Sequence, residues 1–172
     1  MLGASAATAM ALGLVGAGPA GDARATEDRR IRVTRRVTGE TFELTYGDDG
    51  YDEAALRPFS TFARDVRTNE QTAMDPLLLD YLYALLLETE SDGAFELVSG
   101  FRSVSTNEEL RRRSSGVAEH SFHIAGRALD LRLPGTHLAR LYAAALDLGF
   151  GGVGYYAKAN FIHIDTGPWR RW

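Results

Sequence analysis

Cysteine is absent from this chain, which excludes disulfides, thiolate zinc sites and a cysteine nucleophile. Any metal must therefore sit on nitrogen and oxygen ligands. A basic excess is also lacking: 19 Lys and Arg stand against 23 Asp and Glu, for a formal net charge of −4, and the sequence pI is about 5.6. Such a balance does not neutralise a run of phosphates, so nucleic acid is not expected as the main partner. Long apolar runs are missing as well. A spanning helix needs about 20 consecutive apolar residues, and the one candidate, near the amino terminus, is too short and too rich in glycine.

What is present is the make-up of a soluble globular protein: 172 residues, 45% hydrophobic and 24% charged, a length that fits one domain. The first 25 residues, MLGASAATAMALGLVGAGPAGDARA, are almost free of charge, rich in Ala and Gly, and close on Ala23-Arg24-Ala25. That ending is like a signal-peptidase site, so the stretch reads as an export signal. Residues 26–172 are then a single domain delivered to the periplasm or cell envelope, with no stable membrane span once the signal is removed, and expected as a monomer. A stronger signal would carry Lys or Arg before its apolar stretch, which leaves room for a start further upstream.

Hydrophobic periodicity orders the rest. "IRVTRRVTGETFELTY" alternates at period two on both sides of a turn at Val37-Thr38-Gly39-Glu40, and reads as a β-hairpin from Ile31 to Tyr46 closed by the Asp48-Asp49-Gly50 turn. Residues 52–65 are mixed. From Asp75, expected at the N-cap, and Pro76, expected at the first helical position, "LLLDYLYALLLETE" reads as a helix buried on more than one side. "AFELVSGF" is a central strand ending at Gly100, followed by an Asn107-capped helix with a basic, solvated face at Arg111-Arg112-Arg113. "GRALDLRL" alternates as a half-buried strand, the helix "THLARLYAAALDLG" ends at Gly149, and two short strands flank a turn at Ala157 to Asn160. No internal repeats appear.

Catalytic zinc commonly takes three protein ligands from His, Asp or Glu and leaves one position for water; this chain supplies His123, Asp130 and His163. Period two puts His163 and Asp165 on one strand face and Ile162 and Ile164 on the other, while Asp130 lies opposite Leu129 and Leu131. Polar groups from two strands thus meet over one sheet face. The pattern alone leaves open a hydrogen-bonded polar cluster, because an antiparallel sheet often wets one side.

"SFHIAGRALD" has the form S-x-H-x-x-G-x-A-x-D. With "SGFRS" upstream and "HID" downstream it resembles the LAS metallopeptidases, the murein endopeptidases and D-Ala-D-Ala carboxypeptidases that share a hedgehog-type fold. From about Leu97 to Trp172, including "GGVGYY" and "NFIHIDTG", the chain is similar to the exported YcbK/MepK-like murein endopeptidases. The resemblance implies an α+β fold of the hedgehog/D-Ala-D-Ala-peptidase type, an antiparallel sheet with helices packed on one side. It also implies Zn2+ as cofactor on His123, Asp130 and His163, and peptidoglycan peptide stems as substrate, cut at amide bonds in cross-links with 3-3 (L,D) cross-links favoured.

The general base is less plain. Several branches of the superfamily place an acidic residue or a histidine two or three positions before the last ligand, where this chain has Asn160 and Phe161, neither of them a base. Asp165, on the face of His163, is the first candidate, and His120, just ahead of the first ligand, is the second. Asp165 equally suits a role in orienting His163 through its other ring nitrogen, and both readings stand open. Arg102, in "SGFRS", is expected to contact a stem carboxylate or the polarised carbonyl, or else to cap the next helix. Ser121 is expected to hydrogen-bond near the site, with no base placed to make it a nucleophile, and Gly126 to permit a sharp turn before the strand. Tyr155, with Tyr156, Trp169 and Trp172, is expected either to line a cleft for the peptide stem or to close the core. A zinc D,D-carboxypeptidase and a catalytically silent peptidoglycan-binding protein are the alternatives to an endopeptidase.

Overall fold

A computed structural model describes residues 28–47, 51, 53–114 and 116–172. The expected export signal and the Asp48-Asp49-Gly50 turn lie outside these residues. The elements run β1 (Arg29–Arg35), β2 (Glu40–Tyr46), α1 (Glu53–Phe62), α2 (Leu77–Glu88), β3 (Phe95–Ser99), α3 (Val104–Arg113), β4 (Ala128–Arg132), α4 (Leu138–Leu148), β5 (Gly152–Tyr156), β6 (Phe161–Asp165) and β7 (Arg170–Arg171). The strands form one sheet in the order β2-β1-β3-β4-β6-β5-β7. The chain is thus α+β. Among the described residues no helix is long and apolar enough to cross a membrane.

The sheet is mostly antiparallel, as expected, but β1 pairs with β3 and β5 with β7 in parallel, which makes it mixed. Its apolar face is continuous across the registered partners: Val33 lies beside Phe42 and Phe95, Leu97 beside Leu131, Leu131 beside Ile162, and Leu129 and Val153 beside Ile164. These side chains join α1, α2 and α4 in one buried cluster, where each fully buried aliphatic side chain contributes about 1.5–3 kcal/mol. The expectation of helices on one side holds for those three. α3 instead borders a cleft on the other face, and its buried residues, Thr106 and Asn107, are polar.

α2 buries Leu78, Leu79, Tyr81, Leu82, Leu85 and Leu86 and packs on β1 and α4, with the Tyr81 hydroxyl donating to the Ala145 carbonyl at 3.0 Å, while Leu77 and Leu87 stay exposed. It begins one residue later than expected, but Asp75 still caps it: Oδ1 accepts from the Leu77 amide at 3.1 Å. α1 is a helix the sequence reading left undefined, since Pro58 inside it removes a helical hydrogen bond. Packing offsets that loss, with Phe59 and Phe62 seated on Phe42 at ring-centroid distances of 5.4 and 5.8 Å. α3 is capped by Ser103, whose hydroxyl accepts from the Thr106 amide, and not by Asn107. Asn107 is buried inside the helix and its amide donates to the carbonyls of Ala118 and Glu119 at 3.0 and 3.4 Å, tethering the loop beyond.

Candidate metal centre

Four segments bring the site together. A register shift between Leu97 and Ser99 sets Ser99, on β3, beside Asp130, the effect of one extra residue on the bulged strand. Gly100 follows, and a side chain there would come within 2.4 Å of the Ala63 carbonyl oxygen. Only glycine lets the chain lie this close, with the Gly100 carbonyl facing the imidazole of His123. Residues 121–127 form a tight turn, its amides donating back to the carbonyls of Ser121, Phe122 and His123. Gly126 sits there at φ +68°, where an added Cβ would lie 2.5 Å from the Ala73 carbonyl. β4 and β6 then pair Asp130 directly with His163.

The polar face of β4 is not wet. Residues 128–131 are all buried, which corrects the half-buried reading: the turn carrying His123 and the segment after β6 cover that face. His123 is 1% exposed, Asp130 4% and His163 7%.

His123 Nε2, Asp130 Oδ1 and His163 Nδ1 converge, with Nε2 to Oδ1 3.1 Å, Nε2 to Nδ1 3.2 Å and Nδ1 to Oδ1 2.9 Å. The outer ring nitrogens decide what these atoms present. His123 Nδ1 is 2.6 Å from the Gly100 carbonyl oxygen, an acceptor only, so Nδ1 carries the proton and Nε2 turns its lone pair inward. Arg102 Nη2, a donor only, approaches that same Nε2 at 3.0 Å, which requires the same tautomer. His163 Nε2 donates to Asp165 Oδ2 at 2.9 Å, leaving the Nδ1 lone pair inward.

Two imidazole lone pairs and a carboxylate oxygen pointed at one another form a group that could hold a metal ion. A tetrahedral zinc with bonds of about 2.0–2.1 Å separates its ligands by about 3.3 Å, so the trio fits after widening by a few tenths of an ångström. Burial lowers the pKa of His123. For His163 burial is outweighed by the Asp130 and Asp165 carboxylates beside its two ring nitrogens, which raise it. Burial works against the Asp130 carboxylate too, yet the two histidines hold it well below the usual range.

The centre forms the floor of a cleft of about 520 Å³. One wall is Ser114 and the loop from Gly116 to Phe122, with His120 and Ser121; the other is aromatic, Tyr156, Phe161 and Trp172. Phe161 stacks on Tyr156 at 4.6 Å, and Trp172 packs on the His163 ring at 5.2 Å while its indole N–H donates to the Tyr156 hydroxyl at 2.9 Å.

Of the residues singled out from the sequence, Arg102, His120, Ser121, His123, Asp130 and His163 all line this cleft. Arg102 donates Nη2 to Asp130 Oδ2, and Nε to Ser99 Oγ at 3.1 Å. Ser121 Oγ accepts from the His123 amide at 3.3 Å, so it shapes the turn. Tyr155 is a correction: β5 carries it to the opposite sheet face, against Tyr142 of α4 at 5.0 Å. Its neighbour Tyr156 is the one in the cleft, because a shift of one residue on a strand exchanges faces. Trp169 does not line the cleft either.

Asp165 is fully buried and does not line the cleft. Its Oδ1 accepts from the amides of Gly152 and Gly167 at 3.1 and 2.8 Å and from Arg170 Nη1 at 3.0 Å; its Oδ2 holds His163 and, at 2.6 Å, Arg170 Nη2. Burial alone would raise its pKa, but His163 and Arg170 hold it well below the usual range. A carboxylate off the cleft that holds His163 Nε2 is able to orient that ring. Sequence reasoning missed two contributors, the Gly100 carbonyl and Arg170. A backbone oxygen leaves no residue-type signal, and Arg170 reads as one more surface charge.

The sequence profile of the family Peptidase_M15_2, described as "Peptidoglycan L,D-endopeptidase MepK", matches residues 23–172. The chain belongs to that family. It is a metallopeptidase, and His123, Asp130 and His163 are a group that could hold its metal. "Peptidoglycan L,D-endopeptidase MepK" of Escherichia coli (strain K12) is 44% identical over 147 residues, covering 84% of this chain and 80% of the relative. "Probable peptidoglycan L,D-endopeptidase MepK" of Haemophilus influenzae is 42% identical over 145 residues, covering 84% of this chain and 76% of the relative. No solved structure matches the chain significantly.

The geometry sets an expectation for Asp165→Asn. If the asparagine oxygen keeps the Gly152 and Gly167 amides, its NH2 faces His163 Nε2–H and Arg170, donor against donor. Zinc affinity should fall about 10- to 100-fold, with much of the turnover recovered in excess zinc. A variant that binds zinc normally yet stays inactive would instead make Asp165 the base.

Proposed function

We propose that this protein is an exported, zinc-dependent murein endopeptidase of the hedgehog/D-Ala-D-Ala-peptidase type. It hydrolyses amide bonds in the peptide cross-links of peptidoglycan, with 3-3 (L,D) cross-links preferred. The observation that carries this reading is the convergence of His123 Nε2, Asp130 Oδ1 and His163 Nδ1 at the floor of a cleft, each imidazole pinned from behind by an acceptor. The names of the relatives support the substrate and the bond.

When bound, zinc supplies Lewis acidity at the scissile carbonyl and brings the pKa of a water down towards about 7. His123, Asp130 and His163 would hold the ion. Arg102, already paired to Asp130 Oδ2, offers guanidinium donors to the carbonyl oxygen or to a stem carboxylate. His120, exposed on the cleft wall, takes the proton from the attacking water and passes it to the leaving amine. The Tyr156, Phe161 and Trp172 wall gives the peptide stem an apolar surface to lie against.

Digestion of defined muropeptides by the zinc-loaded protein tests this. Cross-linked 3-3 dimers should be cut, faster than 4-3 dimers, and a chelator should stop the reaction. Release of terminal D-Ala from uncross-linked stems, with dimers left intact, would make the protein a carboxypeptidase instead. Export has its own check. The low-charge stretch ends on Ala23-Arg24-Ala25 ahead of the charged Thr26-Glu27-Asp28-Arg29-Arg30, so mass spectrometry of envelope-fraction protein should find Thr26 as the first residue. An intact Met1 there would remove the signal reading.

A further inference from the structure

The segment after β6 does more than close the sheet. β7 joins β5 in parallel, with Gly152 opposite Arg170, and this short pairing brings the Arg170 guanidinium, at the edge of the cleft it helps to line, onto Asp165. Both Nη atoms pair with Asp165, one to each carboxylate oxygen, at 3.0 and 2.6 Å. The same guanidinium lies between two rings, 4.9 Å from the centroid of Phe122 and 5.1 Å from that of Trp172. Phe122 precedes the ligand His123 in the chain, and Trp172 packs on the ligand His163. The seat is cut to fit: a Cβ on Gly152 would lie 2.4 Å from Arg170 Nη1, and one on Gly154 would lie 2.7 Å from the Trp172 ring.

We propose that Arg170 is a positioning residue for the metal centre, acting through Asp165 on His163. The inference rests on the reading of the trio as a zinc site. The two oxygens of Asp165 are held differently. Oδ1 has the amides of Gly152 and Gly167 as well as Arg170, whereas Oδ2 has Arg170 and His163 only. The amides therefore act as a hinge at Oδ1, and Arg170 Nη2 sets the direction in which Oδ2 points. Through Oδ2 that direction fixes the ring plane of His163 and keeps its proton on Nε2, with the Nδ1 lone pair aimed at the ion. A planar two-pronged donor does this and a point charge does not, since a lysine ammonium lacks the fork that meets both carboxylate oxygens at once.

The test uses Arg170→Lys and Arg170→Gln in the full chain, with two readouts. Zinc affinity is measured by competition with a chromophoric chelator, and the His163 tautomer by 15N–1H correlation in the metal-free protein. Both variants should fold, lose about 10- to 100-fold in zinc affinity, and show His163 as a tautomer mixture where the wild type is protonated on Nε2. Excess zinc should restore much of the turnover, and lysine should recover only part of the affinity lost in Arg170→Gln. Should the glutamine variant fail to fold, the lysine variant alone carries both measurements. Lower thermal stability with wild-type zinc affinity and an unchanged tautomer would overturn the proposal, leaving Arg170 as a strand clasp. Failure of the wild type itself to bind zinc would overturn the metal reading instead, and the tautomer comparison would still report on Arg170.

Discussion

Alanine at His123, Asp130 or His163 is expected to remove stoichiometric zinc and lower turnover by at least about 10³-fold. Each of the three supplies one inward atom, and among the described residues no further His, Asp or Glu joins the group, so a lost ligand has no substitute. Lewis-acid stabilisation is worth several kcal/mol, and about 1.4 kcal/mol is a factor of ten in rate. The three variants should differ in what they leave behind. His123→Ala strips the Gly100 carbonyl of its donor, and Asp130→Ala leaves the Arg102 guanidinium without its carboxylate at a largely buried position. These two should lose stability as well as zinc, because an orphaned buried polar group costs about 1–3 kcal/mol, and more when charged. Metal analysis of the purified variants beside their thermal unfolding separates the two effects. Full zinc occupancy in all three would remove this trio as the zinc site.

How much of this was legible beforehand follows from the range of each signal. β1 and β2, β4, β6, α2 and α4 announce themselves by period, since their side chains alternate against one core and the pattern is local. α1 hides because Pro58 argues against a helix while Phe59 and Phe62, which hold it down, find their partner Phe42 across the chain. "SVSTN" offers several cap-forming residues in a row, and Ser103 takes the place expected of Asn107 because Asn107 is drawn inward to the Ala118 and Glu119 carbonyls. β7 is two residues long and carries no period at all. In the site, the trio was readable from motif and alternation together, and the orienting role of Asp165 was one of two readings left open. What favours that reading is a count of hydrogen-bond donors from Gly152, Gly167 and Arg170, contacts that no local spacing encodes. Tyr155 against Tyr156 shows how narrow the margin is, because the end of a strand fixes which of two adjacent tyrosines meets the cleft.

On the proposed role of His120 as the base, His120→Gln is expected to keep zinc and fold while lowering kcat by about 10²- to 10⁴-fold. The cleft lining narrows the choice. Outside the three ligands its side chains with a transferable proton are the arginines, which remain charged, the hydroxyls of Ser114, Ser121 and Tyr156, and His120. Tyr156 already accepts the Trp172 indole N–H, and Ser121 accepts the His123 amide. Asn160 has a left-handed backbone at φ 54° and does not line the cleft. Phe161 lines the cleft but has no proton to exchange. Histidine as a class exchanges its proton near neutral pH, and the loop bearing His120 is held by the Asn107 amide on Ala118 and Glu119 and by the Arg111–Glu119 ion pair at 3.0 Å. Glutamine retains size and hydrogen bonding without basicity, so a fall in kcat at unchanged zinc content and similar KM isolates the proton step. Turnover within a few-fold of wild type would release His120 from that role and make Tyr156→Phe the variant to measure.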